Sequence, residues 1–150
     1  MSDIYDLMAE EARQSFFQLK NMTAMLDSKA LGVVTADAFV FSVFASISSP
    51  LSNKLFYVPL VLIIISFFSL LASVWPRHSL RQFSEDTIKN YGTLDSKTAL
   101  AKIAANYADL ELKQYKIYKN KFNWFLAGLI LMVLAMASEM VIFAYITFDP

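Results

Sequence analysis

Three long apolar blocks alternate with polar stretches that carry helical spacing. Residues 30–49, "ALGVVTADAFVFSVFASISS", contain one charge, Asp37. Residues 55–75, "LFYVPLVLIIISFFSLLASVW", contain none, and residues 124–148, "WFLAGLILMVLAMASEMVIFAYITF", contain only Glu139. A helix rises about 1.5 Å per residue against a hydrocarbon core of about 30 Å, so each block is long enough to span a bilayer. Core helices of a soluble bundle are the alternative, and they would carry a polar stripe that residues 55–75 do not display. The pattern predicts an all-α integral membrane protein with three transmembrane helices.

The polar stretches are also helical in pattern. Over residues 1–29, Ile4, Met8, Ala12, Phe16, Leu19, Met22 and Leu26 recur at helical spacing behind Ser2, Asp3 and Asp6, which suit a helix N-terminus. Nothing breaks this helix before Gly32, so it is expected to continue into the first span. Within the cytoplasmic region 76–123, Pro76 stops the second span, and Ser84 starts a short helix that ends at Gly92. Asp95 or Ser96 then caps a helix with no Gly or Pro before Gly128, and Leu100, Ile103, Tyr107, Leu110 and Ile117 form its apolar seam. The third span is therefore continuous with a long cytoplasmic helix, one rod of about 75 Å. Such a rod needs a partner in water, either the N-terminal helix or its own copies.

Composition and charge give this layout a direction. The hydrophobic fraction is 57% and the charged fraction 17%, where soluble domains have about 45–50% and about 25%. Three Lys/Arg lie in residues 1–29 and nine in 76–123, twelve of the thirteen in the chain. The positive-inside rule puts both segments in the cytoplasm and the C-terminus outside. The acidic start, without a cationic n-region, does not read as a cleaved signal peptide. With no Cys and a single His, thiolate and histidine metal sites are excluded and no cofactor is expected. No nucleophile–base pair is apparent, so the chain does not read as an enzyme.

Asp37 and Glu139 stand where charge costs about 2.5–3.5 kcal/mol each. They lie at different depths, about 10 and about 22 Å from the inner surface, which argues against a pair within one chain. Either each lines an ion pathway as one member of a ring of carboxylates, or each is neutral and hydrogen-bonded inside the bundle. Thr35 or Ser42 could serve Asp37 in the second case, and Ser138 could serve Glu139. Small residues (Ala127, Gly128, Ala135, Ala137 and Ser138) permit close helix contact in the third span.

The segment "QYKIYKNKFNW", 114–124, interleaves cations with aromatics. Lys121, Phe122 and Trp124 suit the collar of a membrane helix. Lys113, Lys116 and Lys119 with Tyr115 and Tyr118 begin deeper in the cytoplasm, and repeated around an axis they form a cationic, aromatic ring. Arg81 could add to it. Anionic lipid heads and a nucleotide or single-stranded oligonucleotide both fit such a surface.

Several elements together resemble the transmembrane effector domain of Pycsar-type antiphage systems. These are "LDSKALGVV" with Asp27, Lys29 and Ala30 leading into the first span, "SVWPRH" closing the second, the Lys-Tyr-rich "LELKQYKIYKNKF", and Gly128-Leu129 opening the third. The chain departs from that pattern at Asp37, where an uncharged polar residue is usual. The resemblance implies an effector that conducts ions or damages the membrane under control of a nucleotide signal. In the related Hailong arrangement, a nucleotidyltransferase encoded nearby makes a DNA oligomer that holds the effector closed. On this reading the chain is an oligomeric channel, a tetramer by expectation, whose opening depolarises the membrane and arrests growth. A non-conducting membrane anchor or scaffold for a partner protein is the alternative.

Overall fold

The computed structural model describes residues 2–46, 54–75 and 85–148, and no strand occurs among them. Helix α1 runs Ser2–Ser46 without interruption, α2 Tyr57–Val74, α3 Glu85–Gly92 and α4 Ser96–Phe148. A 3-10 turn, Lys54–Phe56, precedes α2. The expected continuity of the N-terminal helix and of the last helix is therefore present, at 45 and 53 residues. Local chemistry explains these limits. No proline falls inside α1 or α4, and Pro59 sits in the first turn of α2, where its missing N–H would have no intrahelical partner anyway. Asp95 is the cap of α4: its Oδ2 accepts the Thr98 N–H at 3.2 Å. The Trp75 N–H closes α2 on the Leu71 carbonyl at 2.9 Å. Pro76, Arg77, His78, Arg81, Ser84 and the 50–53 connection lie outside the described residues.

Two of these helices, α2 and α4, are long and apolar enough to cross a membrane, with mean hydropathy of 2.4 and 2.3 over their most apolar stretches. Helix α1 is not among them. This holds for the described residues alone, and residues 47–49 of the expected span lie outside them.

The chain divides into two compact units, Met1–Met25 with Pro76–Lys119 and Leu26–Trp75 with Asn120–Pro150. In the first, α1 and α4 run parallel. The Phe16 and Tyr107 rings lie 6.0 Å apart. The Gln114 amide donates to the Thr23 hydroxyl at 3.0 Å. Both pairs join residues 91 positions apart, a fixed register. Ala9, Phe16 and Thr23 are buried on α1 and Tyr107 and Gln114 on α4, each set spaced by seven as in a coiled coil. The α4 seam expected from sequence is present, with Tyr107 buried and Leu100, Ile103, Leu110 and Ile117 half-buried. The α1 face is different from the expected one. Phe16 and Leu26 are buried, yet Ile4, Met8 and Met22 are exposed. A seven-residue seam selects Ala9 and Thr23, which fit close against α4, over the larger side chains beside them. Helix α3 joins α4 through a hydrogen bond between the Asn106 amide and the Tyr91 hydroxyl.

In the second unit, α2 packs on α4 at Gly128. A Cβ built there would stand 2.7 Å from Leu70 Cγ and 3.2 Å from the Leu70 backbone nitrogen, so only glycine permits the approach. The Ser66 hydroxyl donates to the Gly128 carbonyl at 3.0 Å across this contact. Helix α2 does carry a polar stripe, contrary to the sequence expectation. Ser66, Ser69 and Ser73 are buried while Val61, Ile64, Ile65 and Phe68 are exposed. Serine's small volume hid the stripe within a run of large apolar residues.

Candidate functional site

Lys113, Lys116 and Lys119 emerge from one stretch of α4, all exposed, with Tyr115 exposed beside them and Tyr118 half-buried. At 3.6 residues per turn, Lys116 and Lys119 stand on the side of α4 opposite the Gln114 seam. Lys113 is drawn along the helix to Asp109, with Nζ 2.6 Å from Oδ2. This exposed pair is worth little and leaves the ammonium free to exchange partners. The arrangement is a solvated cationic face with an aromatic edge. Arg81 lies outside the described residues.

Lys121 does not belong to that face. Its Nζ contacts both carboxylate oxygens of Asp27 at 2.7 and 2.8 Å, and its side chain is 5% exposed. The collar role expected for Lys121 is replaced by a buried ion pair joining α1 to α4. It falls on α4's seven-residue buried series, which continues from Tyr107 and Gln114 to Lys121, Gly128 and Ala135. That spacing was available in the sequence, but two of its five members are polar and one is glycine, so an apolar pattern passes over it.

The first unit also holds a cavity of about 610 Å³ lined by Asp6, Glu10, Arg13, Tyr91, Ile103 and Tyr107. Arg13 and Glu10 are paired at 2.8 Å. The Arg13 hydrogen bond, with a second from Gln14, holds the Glu10 carboxyl below its ordinary pKa, and the same pairing raises that of Arg13. Its wall carries two carboxylates, Asp6 and Glu10, against one guanidinium, Arg13, which disfavours a bare phosphate.

The two intramembrane carboxyl candidates lie in the second unit. Asp37 is 1% exposed, and neither carboxyl oxygen has a hydrogen-bond partner. The Ser66 hydroxyl is nearby, but its proton is committed to the Gly128 carbonyl. Thr35 bonds the Leu31 carbonyl at 3.0 Å and so does not serve Asp37. Glu139 is half-buried with Oε1 buried and unpartnered, while Ser138 turns back to the Ala135 carbonyl at 2.7 Å. The Thr35, Ser66 and Ser138 hydroxyls thus satisfy backbone carbonyls. Among the described residues no three His, Cys, Asp or Glu side chains gather as a metal site.

Comparison with protein-family models, with curated proteins and with solved structures gives no match to this chain.

Proposed function

We propose that this chain is a three-span membrane protein that assembles, as a tetramer, into an ion-conducting pore gated by a nucleotide or single-stranded oligonucleotide. The observation that carries this reading is the apolar outer surface of the second unit, with polar side chains among those it buries. Serines 66, 69 and 73 and Asp37 are inside, whereas Phe39, Val58, Val61, Phe68, Ile130, Val133 and Val141 are outside. A water-soluble domain does the reverse. Only 33% of the apolar stretch of α2 and 11% of that of α4 is buried, so neither behaves as the core helix of a soluble protein. Lipid tails, or other copies of the chain, are the surroundings such a surface requires.

Three helices are too few to enclose an aqueous path, so conduction requires copies. Glu139, half-buried on α4, and Asp37, opening to a groove, are the carboxyls for a cation path. The Lys113, Lys116, Lys119 and Tyr115 face, repeated around an axis, is the ligand surface. A ligand that binds one arrangement of the long helices better shifts the population toward it. The resemblance to Pycsar-type and Hailong-like effectors supports a role in antiphage defence at the bacterial inner membrane. There a nucleotidyltransferase product would keep the pore silent, and release would depolarise the cell. A non-conducting anchor is the second reading, favoured by the tight contact of α2 on Gly128, which fills the serine stripe within one chain.

The test is ion flux through purified protein in lipid vesicles, with and without a single-stranded DNA oligomer. Flux that responds to the oligomer supports the channel. Vesicles that stay tight under every ligand condition support the anchor instead.

A further inference from the structure

Asp37 forms part of a lateral groove of about 340 Å³ between the second half of α1 and α2. The other walls are Ala38, Phe41, Ile63, Ile64, Phe67 and Phe68. The volume falls in the range of small-molecule sites, about 300–1,000 Å³, which combine apolar walls with a few polar groups. Here the polar group is one carboxyl, buried and without a hydrogen-bond partner. A buried carboxyl of this kind either stays protonated or, once ionised, needs a counter-charge. The chain offers none at this level: residues 30–49, 55–75 and 124–148 contain no Lys, Arg or His. A second copy therefore could not supply one from its own apolar segments. The complement of the ionised form is a small cation, and the three phenylalanines select its character. Aromatic faces attract organic ammonium ions and give an apolar tail a dry surface. A strongly hydrated metal cation would lose its water here to a single carboxylate, without the six or more oxygen ligands that hard cations take.

We propose that this groove is a binding site for a hydrophobic ammonium ion, with the ammonium on the Asp37 carboxylate and the hydrocarbon part against Phe41, Phe67 and Phe68. The site is entered from the side of the helix pair, where Phe41, Ile64 and Phe68 are exposed. It stands whether or not the protein conducts ions. An amphiphilic amine bound there would sit against both α1 and α2 and would oppose their separation.

The experiment uses the full chain in phosphatidylcholine vesicles and radiolabelled 4-phenylbutylamine, measured by equilibrium dialysis against protein-free vesicles. Saturable binding near one amine per chain is expected. The neutral analogue 4-phenylbutanol should compete at least about tenfold more weakly, since charge pairing and cation–π attraction are both lost. Asp37→Asn should remove the saturable component, and Phe67→Leu should weaken it several-fold. Equal competition by the alcohol would make the groove a site for lipid tails and overturn the proposal, as would undiminished amine binding in Asp37→Asn. If Asp37→Asn does not fold, the comparison of amine with alcohol on the unaltered protein decides alone.

Discussion

The Lys121 ammonium is clasped by both carboxylate oxygens of Asp27, 94 positions away, at 2.7 and 2.8 Å. The two partners are unequally buried: the lysine side chain is 5% exposed and the aspartate 32%. The pair therefore has a direction of vulnerability, because water can reach one partner and not the other.

Asp27→Asn should cost about 3–5 kcal/mol of stability, since it leaves the lysine charge buried without compensation. Lys121→Met should cost less, about 2 kcal/mol, because the freed carboxylate can be hydrated. Thermal unfolding in mild detergent followed by circular dichroism measures both. Equal losses would contradict the assigned burial.

Gly128→Ala should destabilise the packing of α2 on α4 by about 1–3 kcal/mol, the usual cost of overfilling a tight contact. Leu70→Ala in the same chain should recover only part of the loss, because the Leu70 backbone nitrogen stands 3.2 Å from the added carbon. Unfolding of the single and double variants separates the side-chain and backbone contributions.

Single-stranded oligonucleotide binding should depend on Lys113, Lys116 and Lys119 and not on Lys121. Reversing Lys113 and Lys116 to Glu should abolish it while leaving membrane insertion intact. If all three exposed lysines meet phosphates, the logarithm of the affinity should fall with the logarithm of salt with a slope of about −2 per chain. Lys121→Gln serves as the control: any loss it causes must come through folding, which the unfolding measurement reports.

The α4 cap should titrate. The Thr98 side chain and then its backbone N–H hydrogen-bond the Asp95 carboxylate, lowering its pKa below the ordinary aspartate value. The contribution is thus fully present above the unfolded value, about 3.9, and is lost as pH falls through the lower folded value. The Thr98 amide resonance should report a midpoint below about 3.9. In Asp95→Asn the cap should persist and that titration should vanish.

Sequence alone determined the helices, because their limits are set by neighbouring chemistry. The Asp95 cap, the end of α3 at Gly92, and the absence of proline across α1 and α4 are local facts with local consequences. The lysine face at 113–119 was legible for the same reason: three lysines within seven residues of one helix emerge together. What the tertiary structure decided was which side of each helix is buried. In α2 the serine side is shared with Ile63 and Leu70, so hydropathy gives it little contrast, and contact with Gly128 identifies it as the inner one. In α1 and α4 the buried positions include Thr23, Gln114 and Lys121, and Gln114 and Lys121 find their complements on the other helix, at Thr23 and at the half-buried Asp27. A polar side chain's place inside a protein depends on a partner more than 90 positions away, and nothing in its own neighbourhood announces that partner.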